Sequence, residues 1–224
     1  CNIDDYLDFV KLEPMYRLQF DDVRIEPTTV REAMLKQLED NFPGSSDGYD
    51  DFMEKESERF RLMYPCLQKD YATLTSYLSS DLMKALPKLS IGRSLFGVLG
   101  DYFKSDKLKL SFTFQSKYLG MSAWDCPAAF AILPYVEHAF GVYHVIGGLS
   151  EISEAMLKVC IEQGVNVRLN TPVNQLMLDG KKVTGVELEN GEKILADETV
   201  LNADFGYAMK NLVPPGVLKK YSPE

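Results

Sequence analysis

The sequence has few of the residues that build metal centres and disulfide frameworks. Its four cysteines lie far apart, no two of them form a CxxC pair, and the chain contains only two histidines. The cysteines are Cys1, Cys66, Cys126 and Cys160. Neither a metal site nor a disulfide framework is therefore expected, and a reducing compartment such as the cytoplasm suits the chain.

Basic residues and long apolar runs are also scarce. The chain carries 24 Lys and Arg against 33 Asp and Glu, a formal net charge of −9. Because phosphate backbones are bound by clustered Lys and Arg, nucleic acid is excluded as a partner. No run reaches the roughly 18 apolar residues of a membrane span. The hydrophobic fraction of 46% is still enough for a real core.

An initiator methionine and the dinucleotide-binding motif GxGxxG are both missing from the 224 residues. The chain begins at Cys1 and ends on Ser222-Pro223-Glu224, and neither end resembles a natural terminus. We therefore expect an internal piece of a longer protein, in which missing motifs lie outside this segment.

The hydrophobic periodicity changes near Gly141, which predicts a mostly helical domain over 1–140 and a second domain over 141–224. Alternation over 15–20 and 23–25 predicts an N-terminal hairpin. Helices are predicted over 28–39, from Ser46 or Asp47 onward, and over 82–86, 91–103 and 108–119. A further helix from Pro127 is apolar on nearly every side, so it either fills the core or lines a tunnel for a greasy substrate.

The second part alternates short strands with helices. Strands are predicted over 142–145, 166–169, 173–178, 183–188, 193–195 and 198–201, with hairpin turns at Asp179-Gly180 and Asn190-Gly191. A helix over 150–163 follows the Gly147-Gly148 turn and is predicted to bury the stripe Leu149, Ile152, Met156 and Val159. A last helix runs to about Leu212.

Three segments resemble phytoene and dehydrosqualene desaturases, the carotenoid desaturase family of the flavin amine-oxidase superfamily. The hairpin LEPMYRLQFDD is similar to the family's L.P.YR..F.DG, and YLGMSAWDCPAAFAILPYVEHAFGVYH is similar to YLG.sP...PA.y..i.Y.E...GV.Y. The third segment runs from Gly141 to about Leu212. His144, Trp124-Asp125 and Phe205 depart from the usual pattern, which leaves desaturase, isomerase, saturase and terminal-methyl oxidase all open.

This resemblance implies an α+β chain cut from an α/β parent, in which a helical substrate domain with a small sheet joins a partial Rossmann-like FAD-binding fold. It implies desaturation of a long isoprenoid by hydride transfer to FAD in the full-length protein, whereas the isolated piece is expected to be inactive. Another oxidase of the superfamily and a non-catalytic isoprenoid-binding protein of the same fold are the alternatives.

The cofactor contacts come from the same resemblance. Val173 is expected to present its backbone to the adenine, and Asn202, Ala203 and Asp204 to approach the cofactor where a strand enters a helix. Their other interpretations are a core valine and ordinary helix capping. Gly147-Gly148 is expected either to approach the flavin or substrate entrance, or simply to form a turn that requires positive φ.

Two polar residues on the apolar helix from Pro127 are the candidate catalytic groups. Glu137 and His138 are placed to stabilise a transient cation or to take the proton that desaturation releases. Alternatively their side chains point to solvent or form hydrogen bonds with structural partners. Arg93 is a weaker candidate.

A membrane-dissolved isoprenoid would also favour a protein that lies peripherally on the bilayer. An amphipathic cluster after Ser94 is predicted to dip into lipid, and the alternative is a helix packed on its neighbours. Its members are Leu95, Phe96, Val98, Leu99, Tyr102 and Phe103.

Overall fold

The structure is a computed structural model that describes residues 2–217. It divides after Ser153 into two compact units. The division falls inside the helix Ser150–Glu162. The strand at 143–145 belongs to the first unit, because it pairs with a strand near the N-terminus. The predicted functional boundary at 140/141 stays a prediction.

The first unit is mainly helical. Its complete α-helices are α1 (Arg31–Asn41), α2 (Ser46–Leu67), α3 (Ser80–Ala85), α4 (Leu95–Leu99), α5 (Asp106–Ser111) and α6 (Ile132–Phe140). Shorter 3-10 helices lie at Ile3–Asp5, Leu74–Leu78, Leu86–Lys88, Phe114–Leu119 and Ala128–Ala131. The predicted helices over 91–103 and 108–119 are thus shorter than expected, since each ends after five or six residues.

Two small antiparallel sheets complete the first unit. The predicted hairpin is confirmed by β2 (Leu18–Gln19) and β3 (Arg24–Ile25), which pair with each other. The predicted strand after Gly141 is confirmed as β4 (Tyr143–Val145). Its partner β1 (Phe9–Lys11) was not predicted, because a three-residue strand with exposed side chains has no clear periodicity.

An aromatic cluster forms the centre of this unit. Phe52 of α2 meets Phe112 at 5.1 Å between ring centroids, and Phe103 meets Phe112 at 4.8 Å. All three side chains are at most 1% exposed. Buried aromatic pairs add about 0.5–1.5 kcal/mol each beyond the burial of their area. The three rings therefore hold α2 against the segment that carries α4 and α5.

The predicted lipid-dipping cluster is wrong in its main members. Leu95, Val98, Leu99 and Phe103 are at most 2% exposed and belong to the core, whereas Phe96 and Tyr102 are half-buried. The amphipathic pattern of this segment reflects packing on neighbouring elements, which was the alternative interpretation.

The second unit contains a three-stranded antiparallel sheet, the larger part of helix α7 (Ser150–Glu162) and helix α8 (Phe205–Asn211). Strands β5 (Val173–Asp179), β6 (Lys182–Leu188) and β7 (Lys193–Leu195) are consecutive neighbours in the sheet, and both predicted hairpin turns are present. Helix α8 (Phe205–Asn211) packs Ala208 against Leu176 of β5 in a small apolar cluster. Helices with small antiparallel sheets agree with the α+β class.

Three predictions for this part of the chain are wrong. Residues 166–169 and 198–201 form no strand, and no described strand pairs with them. Helix α7 (Ser150–Glu162) contains no buried residue; of its predicted stripe, Leu149 and Met156 are 76% and 65% exposed. Apolar periodicity predicts which side chains form an apolar face, but it does not show which other element packs on that face.

Gly48 in the first turn of α2 provides a test of the packing in the first unit. A Cβ at this position would lie 2.1 Å from the carbonyl oxygen of Tyr102. We expect Gly48→Ala to lower the free energy of unfolding by about 1–3 kcal/mol, the usual cost of overpacking, as measured by urea denaturation. Gly206→Ala in α8 is the matched control, because its Cβ would meet only ordinary contacts. Equal stability of the two variants would contradict the tight approach of α2 to Tyr102.

Candidate functional site

Glu137 lies at the centre of a polar network. It is carried by α6, and its Oε2 accepts hydrogen bonds from Tyr16 Oη at 3.0 Å and Gln115 Nε2 at 2.7 Å. Tyr118 Oη donates to Oε1 at 3.4 Å. The donors come from the segment before β2 and from the 3-10 helix at Phe114–Leu119, so two separate parts of the first unit orient the carboxylate that α6 carries.

The tyrosines of this network are held as hydrogen-bond donors. Burial raises the pKa of Tyr16, and the charge and hydrogen bond of Glu137 raise it further. Burial is also the main influence that raises the pKa of Tyr118, and the charge and hydrogen bond of Glu137 raise it further. Both phenols therefore keep their protons, and each proton faces the carboxylate.

Gln115 is fully buried in the same network. Its Nε2 faces Glu137, while no donor within the described residues reaches its Oε1. Turning the amide over would place that oxygen against the Glu137 carboxylate, which is electrostatically worse. The amide orientation is thus set by Glu137, at the cost of an unpaired acceptor.

His138, although adjacent in sequence, belongs to different surroundings. It is 3% exposed, its Nδ1 lies 3.2 Å from Tyr49 Oη, and its ring stacks on Phe112 at 4.8 Å. Burial lowers the pKa of His138 to about 4. The imidazole is therefore neutral near pH 7 and has the environment of a core residue. The structure places the two candidate catalytic groups in separate networks, and their catalytic roles stay predictions.

The buried imidazole predicts a pH effect on stability. Because the pKa is depressed in the folded state, the unfolded chain binds more protons between its ordinary value of about 6.5 and about 4. The stabilising contribution of neutral His138 is complete above that window and is lost as the pH falls through it. An NMR titration of the ring protons, assigned with a His144→Asn variant, should give a His138 midpoint near 4. A midpoint near 6.5 would contradict the buried placement.

Sequence reasoning missed a second buried polar group, the Glu56–Arg59 pair of α2. Arg59 Nη1 lies 3.0 Å from Glu56 Oε2, and both side chains are at most 8% exposed. Arg59 also donates to the Ala128 carbonyl and to Ser90 Oγ, while Tyr102 Oη donates to Glu56 Oε1. An acid and a base three residues apart usually indicate a solvated helix face, so the burial of this pair has no signal in the sequence.

Burial is the largest influence on Glu56 and raises the pKa of its carboxyl, while Arg59 and Tyr102 oppose that rise. Burial and pairing of this kind make Glu56 a structural group.

Arg93, by contrast, forms a surface ion pair with Asp101 at 2.6 Å. Arg93 has the environment of an ordinary exposed arginine.

The glycine pair expected near the cofactor forms a turn between β4 and α7. Gly147 and Gly148 have φ of +91° and +103°, a region that side chains rarely adopt. A Cβ at Gly147 would lie 2.8 Å from Glu151 Cγ, whereas a Cβ at Gly148 would meet nothing within 4 Å. The turn therefore needs both glycines for their backbone conformation, and Gly148 leaves open space beside the backbone.

The other expected cofactor contacts lie in the second unit. Val173 is half-buried at the start of β5, an edge strand of its sheet. Asn202 and Ala203 are exposed and outside any strand. Asp204 Oδ1 accepts from Tyr207 N at 2.8 Å and caps α8, as the alternative interpretation had it.

These residues fit a contributing role toward an extended dinucleotide. An edge strand and an uncovered backbone beside a small residue both leave N–H and C=O groups free for a ligand. This agreement with cofactor binding is judged for each unit separately. The cofactor-binding roles stay predictions for all six residues, which are Gly147, Gly148, Val173, Asn202, Ala203 and Asp204. The glycine-rich loop that holds a pyrophosphate does not occur in the 224 residues of this chain.

A cavity of about 340 Å³ lies elsewhere in the first unit. It is lined by Asn41, Phe42, Pro43, Gly44, Ser45, Tyr102, Lys104 and Ser105. No residue of α6 is among them, so the proposed tunnel along that helix stays a prediction. Among residues 2–217, no helix is long and apolar enough to cross a membrane.

Comparison with known proteins defines the class. The model of the flavin containing amine oxidoreductase family matches residues 2–222, so the chain belongs to that family. The family is flavin-containing by description, which bears out the expectation of FAD. A solved structure of a Rab GDI from Plasmodium falciparum shares the fold, with a TM-score of 0.51 and 14% identity over 92% of this chain and 46% of its own.

Several of the similar proteins within this class are carotenoid desaturases. The chain is 50% identical to a 4,4'-diapophytoene desaturase (4,4'-diapolycopene-forming) from Methylomonas sp, over 99% of this chain and 43% of that protein. It is 33% identical to a zeta-carotene-forming phytoene desaturase from Myxococcus xanthus, over 95% of this chain and 42% of that protein. The chain therefore spans less than half the length of these relatives.

Proposed function

We propose that this chain is part of an FAD-dependent enzyme that desaturates a long isoprenoid of the dehydrosqualene or phytoene class. The observation that carries the proposal is the 50% identity to a diapophytoene desaturase over nearly the whole chain. Five relatives named for phytoene desaturation are 31–35% identical over 92–95% of this chain, which supports the same reaction type. A C30 precursor is favoured by the higher identity.

When bound, FAD supplies the hydride acceptor for the desaturation. This chain contributes a mostly helical unit for a hydrocarbon substrate and secondary backbone contacts to the cofactor. We assign those contacts to Gly147, Gly148, Val173 and the Asn202–Asp204 segment. Residues 141–224 then correspond to part of the FAD-binding fold and residues 1–140 to the substrate domain.

Glu137 is our candidate for the polar group that acts on the substrate. Its carboxylate is held in one orientation by Tyr16, Gln115 and Tyr118. Tyr118 is 67% exposed, which supports a route from the carboxylate to solvent or to a bound molecule. A fixed carboxylate can stabilise a cation that develops on the polyene or pass on the released proton. His138 is the weaker candidate, because its ring is enclosed by Tyr49 and Phe112.

The reaction is tested with the full-length protein. Co-expression with a source of dehydrosqualene or of phytoene should yield coloured products with more conjugated double bonds, and we expect the greater yield from the C30 precursor. Product analysis by absorption and mass spectrometry measures this directly. Flavin-loaded protein that leaves both precursors unchanged would contradict the proposal, and a shift in double-bond geometry alone would favour an isomerase.

Glu137→Gln tests the role of the carboxylate. It keeps the size of the side chain but removes the charge, and we expect turnover to fall by roughly a hundredfold. The matched control is the exposed Glu154→Gln, which should retain wild-type turnover. Flavin content and thermal stability report whether either variant is misfolded. Turnover of Glu137→Gln within threefold of the control, at about equal stability and with an unchanged pH profile, would remove Glu137 from the mechanism.

A further inference from the structure

The two oxygens of the Glu137 carboxylate have different surroundings. Oε2 accepts two hydrogen bonds, from Tyr16 Oη at 3.0 Å and from Gln115 Nε2 at 2.7 Å. Tyr118 Oη is the donor that the described residues supply to Oε1, at the longer distance of 3.4 Å. A carboxylate has about four acceptor sites, shared between its two oxygens. Oε2 is therefore fully used, whereas Oε1 keeps an acceptor site on which a proton can be taken up.

The donor to Oε1 is also the one that meets solvent. Tyr118 is 67% exposed, whereas Gln115 is fully buried and Tyr16 is half-buried. The hydroxyl of Tyr118 thus lies between the less occupied oxygen of the carboxylate and the surface of the first unit. Neither of the two donors to Oε2 has this position.

Ring packing holds Tyr118 at this place. Its ring meets Phe114, from the same 3-10 helix, edge-on at 6.3 Å between centroids, and Phe114 meets Tyr16 edge-on at 4.7 Å. Edge-to-face contacts at these separations are the favoured arrangement of aromatic pairs. The two phenols that flank the carboxylate are therefore kept in position through one shared ring.

We propose that Tyr118 passes the proton released by desaturation from Glu137 to solvent. The inference deepens the proposed function and rests on it. The proton of a substrate C–H bond moves to Glu137 Oε1, while the hydride of the neighbouring carbon passes to the flavin and a carbon–carbon double bond forms. The carboxylic acid then gives its proton to Tyr118 Oη as the phenol proton moves to water, which restores the carboxylate.

This assignment separates the roles of the three donors. Tyr16 and Gln115 are positioning residues, because they hold Oε2 and so fix the direction in which Oε1 points. Tyr118 gives up one proton as it receives another, so the transfer does not require a free phenolate. The proton has a way out only where a donor to the carboxylate also reaches water, and that donor is Tyr118.

The test replaces the phenol by a small base from solution. In the full-length, flavin-loaded protein, Tyr118→Ala should turn over about tenfold more slowly than the wild type at low buffer concentration. Added imidazole should restore most of that loss, because it can occupy the space of the ring and accept the proton. Tyr118→His should keep most of the wild-type turnover, since its own imidazole can transfer a proton near neutral pH.

Tyr16→Phe is the matched control. It also removes a phenol hydroxyl from the carboxylate, but from the oxygen that does not face solvent, so its turnover should not respond to imidazole. The proposal is overturned if Tyr118→Ala turns over as fast as the wild type, if imidazole does not raise its turnover, or if imidazole raises the turnover of Tyr16→Phe equally.

The contact itself is measured without turnover, by NMR of the full-length protein labelled with carbon-13 at the tyrosine Cζ atoms. The Tyr118 signal, assigned with Tyr118→Phe, should move in Glu137→Gln, because a hydrogen bond to a charged acceptor becomes one to a neutral amide. The signal of Tyr77, on another 3-10 helix, should stay in place. An unmoved Tyr118 signal would overturn the proposal. A moved signal in a protein that leaves dehydrosqualene and phytoene unchanged would contradict the proposed function, while the contact between carboxylate and phenol would stand.

Discussion

The buried ion pair of α2 is the contact on which the first unit depends. Glu56 and Arg59 are shielded from water and form hydrogen bonds with Tyr102, Ser90 and the backbone at Ala128, whereas Arg59 Nε has no partner among the described residues. Removing one partner of such a pair commonly costs about 3–5 kcal/mol, because the other charge is left uncompensated. The pair therefore fixes how α2 meets the segments before and after α4, and it does so beside the Phe52, Phe103 and Phe112 cluster. The position of α6 follows, since Ala128 lies in the 3-10 helix that leads into it.

This arrangement explains why two neighbouring residues of α6 have different environments. His138 faces inward, stacks on Phe112 and stays neutral, whereas Glu137 faces a set of phenol and amide donors. Under the proposed function this unit handles a hydrocarbon, and its polar groups then need to pair with one another, because an unpaired polar atom costs more in an apolar setting than in water. Glu137 differs from Glu56 in that one of its donors, Tyr118, is exposed. That difference is the physical basis for treating Glu137 as functional and Glu56 as structural.

Local signals in the sequence predicted the elements that are stabilised locally. The Asn190-Gly191 turn, the β2–β3 hairpin and the Gly147-Gly148 turn are all present, because each depends on residues adjacent in the chain. Predictions failed where burial depends on distant segments: 198–201 is not a strand, and its Val200 is 92% exposed. Of the candidate site, Glu137 and its polarity were predictable, and Tyr16 and Tyr118 lie in the segments that resemble the family, but no pattern in the sequence shows that residues up to 121 positions apart meet. The burial of Glu56 and Arg59 was unpredictable for the same reason.

Membership of a flavin-containing family and the 50% identity to a diapophytoene desaturase support our central proposal, that flavin in the full-length protein oxidises the substrate. The most direct measurement is anaerobic rapid mixing of the full-length, flavin-loaded protein with dehydrosqualene dispersed in detergent. The account predicts that the absorption of oxidised flavin is lost at the rate at which conjugated double bonds appear. Conjugated product formed while the flavin stays oxidised would contradict it, as would a flavin that the substrate never reduces.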